Sequence, residues 1–234
     1  MTALLASVRD VAEAAVAVSA GCDWLDLKEP RAGALGAVSE DVIRAVVARF
    51  AGQLPISATI GDCWDTPGLI GPRVSALART GVDYVKIGMY ARRRSVALNG
   101  ALADAVAIMP KAIAVCFAEA PPTAGDLARL AKLGFKGVML DTAEKTQGSL
   151  TERMSSTAIA AFVTAALKLG LMTGLAGSLR ASDVSDLLVH ESDYLGFRGA
   201  LCAGGRREGT LDRAAIRHLR ELISRQPLMA RRFQ

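Results

Sequence analysis

Short apolar segments alternate along the chain with longer segments in which apolar residues recur every three or four positions. The first kind is typical of buried strands and the second of amphipathic helices. Strands are predicted at residues 4–8, 24–29, 56–61, 84–89, 112–117, 137–141, 171–177 and 194–199. Helices are predicted at residues 10–20, 39–50, 72–80, 96–109, 123–133, 155–169, 182–189 and 211–225. Ser39, Thr123 and Ser182 are the predicted N-caps of three of these helices.

Eight strand–helix units in 234 residues predict an α/β fold with one domain, a (β/α)8 TIM barrel. Such a barrel typically needs about 250 residues. The alternative is an open, doubly wound sheet, which is less favoured because the first strand is not followed by a Gly-x-Gly-x-x-Gly turn. No linker or low-complexity segment divides the chain, and a short basic tail begins at about residue 226.

The second predicted strand carries the first candidate chemistry. Asp26 and Lys28 are two residues apart, so they share one face of the strand, and Leu25 and Leu27 share the other. A lysine held out of water beside a carboxylate is a candidate nucleophile that forms Schiff bases with carbonyls. The alternative is an edge strand with a solvated ion pair, since structural ion pairs are common.

Four charged residues fall near the carboxyl ends of even-numbered strands, namely Lys28, Lys86, Asp141 and Arg198. Active sites of these barrels lie at that end, and alternate strands fill the same interior layers. We therefore expect the four side chains to converge on one site, since buried charges need partners. Further candidates just past strand ends are Asp62, Glu119, Lys145 and Tyr90.

The predicted loops after the seventh and eighth strands contain Gly177, Ser178, Arg198, Gly199 and Ala200. Loops at these two positions frequently bind phosphate through backbone N–H groups. Glycine lets the backbone approach an anion closely. Arg198 either adds a charged fork to such a site or pairs with Asp141. The alternative for the loops is an ordinary turn without a ligand.

Charge is concentrated at the C-terminal end. Residues 198–234 contain nine arginines and three acidic residues, in a chain with a net charge of +5. Aromatic residues make up only 5%, and no nucleic-acid motif accompanies the arginines, so we expect a small anionic ligand and no nucleic acid. The arginines at residues 92–94 are expected to begin a solvated helix or to contact another copy in a homo-oligomer.

Cysteine and histidine usage excludes several other classes. The four cysteines are scattered, with no metal-ligand spacing, which predicts buried free thiols in a reducing cytoplasm and no metal site. His190 and His218 are expected at the surface, so proton transfer must depend on Lys, Asp, Glu or Tyr. No apolar stretch is long enough to cross a membrane, and no signal peptide is predicted.

Six segments together resemble a known family. They are DLKEPRAGALG at residues 26–36, SATIGD at 57–62, YVKIGMY at 84–90, DTAEK at 141–145, LAGSL at 175–179 and GFRGA at 196–200. The chain resembles the (5-formylfuran-3-yl)methyl phosphate synthases of methanofuran biosynthesis. It departs from the expected pattern after Lys145, where Thr146 and Gln147 replace an acidic residue and a glycine.

The resemblance implies a lyase that joins two molecules of glyceraldehyde 3-phosphate into the phosphorylated furan and releases phosphate and water, without a cofactor. It implies that Lys28 forms the Schiff base and that Lys86 is the general base. Asp26, Asp141 and Lys145 match positions expected to move protons or to hold the amines. Two alternatives remain: another class I aldolase acting on a phosphorylated sugar, and a non-catalytic protein that binds a phosphorylated metabolite.

Overall fold

The computed structural model describes residues 1–63, 65–89 and 96–224. Tyr90, the arginines at residues 92–94 and the basic tail from about residue 226 lie outside this part. The eight strands are β1 (Ala3–Val8), β2 (Trp24–Leu27), β3 (Ile56–Thr59), β4 (Tyr84–Met89), β5 (Ala112–Phe117), β6 (Gly137–Asp141), β7 (Met172–Leu175) and β8 (Tyr194–Phe197). Each pairs in parallel with its sequence neighbours, and β8 pairs with β1. The predicted TIM barrel is confirmed.

Helices follow the strands around the outside of the barrel. They are α1 (Val11–Ser19), α2 (Glu40–Phe50), α3 (Ile70–Ala78), α4 (Val96–Ile108), α5 (Ala124–Leu133), α6 (Leu150–Arg153), α7 (Ser156–Lys168), α8 (Val184–Leu188) and α9 (Arg213–Ser224). Ser39 caps α2, and Thr123 caps α5 in a capping box with Asp126. Both predicted N-caps are therefore confirmed. No described helix has the length and apolar character needed to span a bilayer.

The structure differs from the sequence prediction at several boundaries. Strands β2, β3, β7 and β8 are two residues or more shorter than predicted. Gly61 and Gly177, which the prediction places in β3 and β7, have φ of +80° and +111°, outside the extended region. The short helix α6 was not predicted. Ser182 is not an N-cap, since it lies within a 3-10 turn, where the carboxylate of Asp183 accepts a hydrogen bond from the N–H of Arg180.

Alternation along the strands separates two apolar regions. Leu25 and Leu27 are fully buried and belong to the large cluster between the strands and the helices. The opposite face of β2 points into the barrel, where Trp24 packs in a smaller cluster with Tyr194. The predicted two-faced strand is therefore confirmed, and its charged face is the interior one.

Aromatic rings close the barrel at the amino ends of the even-numbered strands. Trp24 begins β2, and its ring centroid lies 4.6 Å from that of Tyr84 and 5.0 Å from that of Tyr194. Gly174 on β7 makes room for this layer, because a Cβ there would lie 2.2 Å from Cζ of Tyr194. This aromatic layer lies between the charged groups and the amino end of the barrel. Those groups can therefore reach solvent only toward the carboxyl ends of the strands.

Candidate active site

A cavity of about 660 Å³ opens at the carboxyl ends of the strands. All ten predicted site residues line it: Asp26, Lys28, Lys86, Asp141, Lys145, Gly177, Ser178, Arg198, Gly199 and Ala200. The expected convergence of charged groups from the even-numbered strands is therefore confirmed. These side chains come from five different strands or loops, so the barrel closure itself assembles the site.

The deep pair consists of Lys86 and Asp26. Nζ of Lys86 lies 2.8 Å from Oδ1 of Asp26, in an ion pair rather than a well-aligned hydrogen bond. Asp26 also accepts hydrogen bonds from Ser57 Oγ at 2.6 Å and Ser7 Oγ at 3.3 Å. Lys86 is 2% exposed and Asp26 is 4% exposed. The two hydroxyl groups hold the carboxylate of Asp26 in place beside the amine.

Burial lowers the pKa of Lys86 below its ordinary value. The negative charge of Asp26 opposes this shift, whereas the positive charge of Lys28 adds to it. The Nζ atom also lies 5.8 Å from the ring centroid of Tyr194. A lysine with a lowered pKa carries a larger neutral fraction near neutral pH, which suits it to act as a base.

The upper cluster consists of Asp141, Lys28 and Lys145. Asp141 Oδ1 accepts a short hydrogen bond from Lys145 Nζ, and Oδ2 lies 3.7 Å from Lys28 Nζ. The backbone N–H of Thr142 also donates to Oδ1 at 2.8 Å. Asp141 thus forms ion pairs with two lysines, whereas Asp26 forms an ion pair with one.

Burial and neighbouring charges shift the pKa values of Asp141 and Lys145 in opposite directions. Burial acts to raise the pKa of Asp141, but the charges of Lys145 and Lys28 outweigh burial and bring that pKa down to about 2. Burial lowers the pKa of Lys145 to about 8 against the influence of Asp141, and the charge of Lys28 lowers it further. Asp141 is therefore a fixed negative charge, and Lys145 can change its protonation state near neutral pH.

The loop after β7 has backbone geometry that demands glycine. Gly177 has φ +111°, and a Cβ there would lie 2.8 Å from Cγ2 of Thr142. Ser178 has φ 48°, and its hydroxyl donates to the carbonyl of Lys145 at 2.9 Å. This bond ties the loop after β7 to the loop that carries Lys145. Strain of this kind at a non-glycine residue is common at ligand sites.

Four residues that line this cavity have backbone N–H groups without an acceptor in the described part of the chain. Those of Gly177, Ser178, Gly199 and Ala200 form no hydrogen bond to any described residue. Gly199 begins a 3-10 turn after β8. Such donors at the ends of β7 and β8 suit an anionic oxygen.

Arg198 lines the cavity, but its guanidinium is fully engaged elsewhere. It forms a buried bidentate pair with Glu13 on α1, at 2.5 and 3.1 Å. Its other N–H groups donate to the carbonyls of Ser7, Arg207 and Gly209. The expected alternative pairing with Asp141 is therefore wrong. With five hydrogen bonds to protein, Arg198 anchors the loop after β8, and its direct contact with phosphate stays a prediction.

The remaining sequence candidates lie outside the cavity lining. Glu119 accepts hydrogen bonds from the backbone N–H groups of Ala143 and Glu144, so it holds the loop before Lys145. Asp62 borders a separate small pocket. His218 is exposed, and His190 lies at the end of α8, where it contacts Ser156 at 3.3 Å.

Several residues of the site were not predicted from the sequence. Ser7 lines the cavity, and Ser57 donates to Asp26 from beneath the lining; both are in register with Asp26. Two signals in the sequence could have identified Ser57: it pairs in register with Asp26, and it lies within one of the six motifs. Arg180 and Arg207 also line the cavity. Among the described residues, no group of three His, Cys, Asp or Glu side chains is arranged to hold a metal ion.

Solved structures share this fold. The chain is similar to 3-hexulose-6-phosphate synthase, with a TM-score of 0.68 and 16% identity over 95% of this chain and 100% of that one. It is also similar to phosphoribosyl anthranilate isomerase from Thermotoga maritima, with a TM-score of 0.67 and 14% identity over 96% and 99% of the two chains. These likenesses show the fold, a TIM barrel.

Sequence relatives identify the family within that fold. A family model described as 4-HFC-P synthase matches residues 4–220. The (5-formylfuran-3-yl)methyl phosphate synthase of Methanocaldococcus jannaschii is 35% identical, covering 94% of this chain and 98% of its own. A Methylorubrum extorquens protein, whose name gives the same activity provisionally, is 41% identical over 96% and 92%. The chain therefore belongs to the (5-formylfuran-3-yl)methyl phosphate synthase family, and the resemblance of its six motifs is confirmed.

Proposed function

We propose that this protein is a lyase of methanofuran biosynthesis that condenses two molecules of glyceraldehyde 3-phosphate into (5-formylfuran-3-yl)methyl phosphate through a Schiff base on Lys28. One observation carries the proposal: three lysines and two carboxylates share one cavity with unpaired backbone N–H groups. Amines suit imine chemistry, and the N–H groups suit a phosphorylated substrate.

Lys28 is the better placed nucleophile of the two strand lysines. It is 9% exposed, against 2% for Lys86, and it lies 3.7 Å from its carboxylate instead of 2.8 Å. A substrate carbonyl entering from the carboxyl ends of the strands meets Lys28 before Lys86. Attack by Nζ forms a carbinolamine, which loses water to give the imine. Lys145, hydrogen-bonded to Asp141 beside Lys28, is placed to supply the proton that this loss of water needs.

The deep pair supports the next step. A protonated imine is an electron sink, so the adjacent carbon can lose a proton and become an enamine. Lys86 is placed to accept that proton, because burial favours its neutral form. The enamine carbon then attacks the aldehyde of the second molecule, which forms the carbon–carbon bond. Ring closure by a substrate hydroxyl group onto the imine carbon releases the amine of Lys28. Loss of phosphate and of one further water then completes the furan.

A product assay tests this proposal. The purified protein is incubated with glyceraldehyde 3-phosphate alone, and the products are analysed by mass spectrometry. We expect the phosphorylated furan, with release of inorganic phosphate in equal amount. Lys28→Met serves as the inactive control. A different carbon–carbon product would indicate another class I aldolase, and binding without turnover would indicate a phosphate-metabolite binder. Either result would overturn the proposal.

A further inference from the structure

Arg207 differs from the other cations that line the cavity. Lys28 and Lys145 pair with Asp141, and Lys86 pairs with Asp26. The two remaining arginines are neutralised by carboxylates outside the cavity, since Arg198 pairs with Glu13 and Arg180 with Glu152. Arg207 forms no ion pair with any described carboxylate. It is the one cavity-lining cation in the described chain without a carboxylate partner.

Arg207 is held at both ends. Its backbone carbonyl accepts a hydrogen bond from Nε of Arg198 at 2.7 Å. Its guanidinium donates to the carbonyl of Gly33, in the loop after β2, at 3.1 Å. The side chain thus spans from the segment after β8 to the loop after β2, across the end of β1. Its other N–H groups have no acceptor among the described residues.

The charged groups in and around the cavity carry a surplus of positive charge that an anion would neutralise. Six cations line the cavity, and four carboxylates pair with five of them, which leaves a formal surplus of two positive charges. Burial lowers the pKa of Arg207, and the charges of Asp141 and Glu208 oppose that shift. Asp141 is therefore within electrostatic reach of the guanidinium. A planar guanidinium with free N–H groups binds phosphate oxygens in a bidentate manner.

We propose that Arg207 binds the phosphate group of the second triose phosphate, on the β2 side of the cavity. The inference rests on the proposed function, because only a condensation of two phosphorylated molecules requires two such sites. The backbone N–H groups after β7 and β8 suit the phosphate of the first molecule. Two dianionic groups repel each other, so they need separate positions. The guanidinium of Arg207 reaches the carbonyl of Gly33 in the loop after β2, whereas the N–H groups belong to the loops that directly follow β7 and β8.

Binding of inorganic phosphate to the free enzyme tests the site without turnover. Titration calorimetry should show two sites in the parent enzyme. Arg207→Gln should weaken one of them by roughly 10-fold or more, the effect expected for a lost charged hydrogen bond, and leave the other unchanged. Arg207→Lys should retain part of the affinity. Arg206→Gln is the matched control, since Arg206 is exposed and does not line the cavity.

Kinetics supply the second readout. In Arg207→Gln, borohydride should still trap one triose phosphate on Lys28 at the parent concentration, whereas furan formation should require a roughly 10-fold higher concentration. A merely structural role would lower both together. Equal phosphate binding and equal kinetics in Arg207→Gln and Arg206→Gln would overturn the inference and leave the proposed function standing. Loss of one phosphate site in Arg207→Gln, in an enzyme that makes no furan, would overturn the function and leave Arg207 as an anion site.

Discussion

Two lysine–carboxylate groups lie at different depths in the same barrel. The deep pair joins one lysine, Lys86, to one carboxylate that two serine hydroxyls also bind. The upper cluster joins two lysines, Lys28 and Lys145, to the single carboxylate of Asp141. The deep group is balanced in charge and almost fully buried at the bottom of the cavity. The upper group carries one uncompensated positive charge and faces the opening of the cavity.

This difference fits two chemical roles, proton transfer for the deep pair and attack on the carbonyl for the upper cluster. A buried pair that is balanced in charge keeps its geometry while a proton moves between the amine and the substrate. A cluster at the opening of the cavity places Lys28 where a substrate carbonyl can reach it, and the charge of Lys28 helps to lower the pKa of Lys145 beside it. Four experiments would break or sharpen this comparison.

The largest effect should follow from removing the upper nucleophile. Lys28→Met should lower the rate of furan formation by roughly 10³-fold or more, because no other amine has the same access to the carbonyl. Steady-state assays of furan absorbance would measure the loss. Thermal unfolding should show that the variant is folded, since Asp141 keeps its hydrogen bond to Lys145. A rate within a few-fold of the parent rate would contradict the assignment of Lys28.

The next effect concerns the deep pair. Lys86→Met should lower the rate by roughly 10²–10⁴-fold, the range for a lost general base, but Lys28 should still form its imine. The variant leaves Asp26 buried without its cation, which costs about 3–5 kcal/mol of folding stability. The double variant Asp26→Asn with Lys86→Met should recover most of that stability without recovering the rate. Recovery of the rate as well would show that Lys86 acts only through charge balance.

A third experiment concerns stability in acid. The pKa of Asp141 is about 2 in the folded protein, below the ordinary value of 3.8 for an aspartate. Because the folded-state pKa is the lower one, this carboxylate stabilises the fold above pH 3.8, and the contribution is lost as the pH falls from 3.8 toward 2. It amounts to about 2 kcal/mol. Denaturant unfolding across this range should show a smaller fall in stability for Asp141→Asn than for the parent, and equal falls would contradict the charge assignment.

The smallest effect is a shift in one titration. Nζ of Lys145 should titrate near pH 8 in the parent enzyme, as followed by NMR of ¹⁵N-labelled lysine. Asp141 raises the pKa of Lys145, so Asp141→Asn should move the midpoint to a lower pH. The exposed Lys132→Met variant helps to assign the resonances without affecting the cavity. A midpoint that rises in Asp141→Asn would show that the upper cluster is not coupled as described.

The sequence predicts the barrel and most of the cavity because both follow from local patterns. Strand alternation places Asp26 and Lys28 on one face, and the rule of alternate strands brings Lys86 and Asp141 to the same side. Proline and glycine mark the strand ends. These signals need no knowledge of distant contacts.

Other features depend on contacts between segments far apart in the chain. Arg198 was expected at phosphate or beside Asp141, but it pairs with Glu13, 185 residues away. Nothing local to either residue indicates this partner. The same holds for Arg207, whose guanidinium reaches the carbonyl of Gly33. Side chains as long as arginine can reach several strand ends, so their partners are decided by the closed barrel and not by strand position.

The most direct test of the central claim is the location of the trapped imine. The enzyme is treated with glyceraldehyde 3-phosphate and sodium borohydride, digested, and mapped by peptide mass spectrometry. The account predicts a single triose phosphate adduct on Lys28, which is retained in Lys86→Met and absent in Lys28→Met. An adduct on Lys86 or Lys145 in the parent enzyme, or full trapping in Lys28→Met, would contradict it.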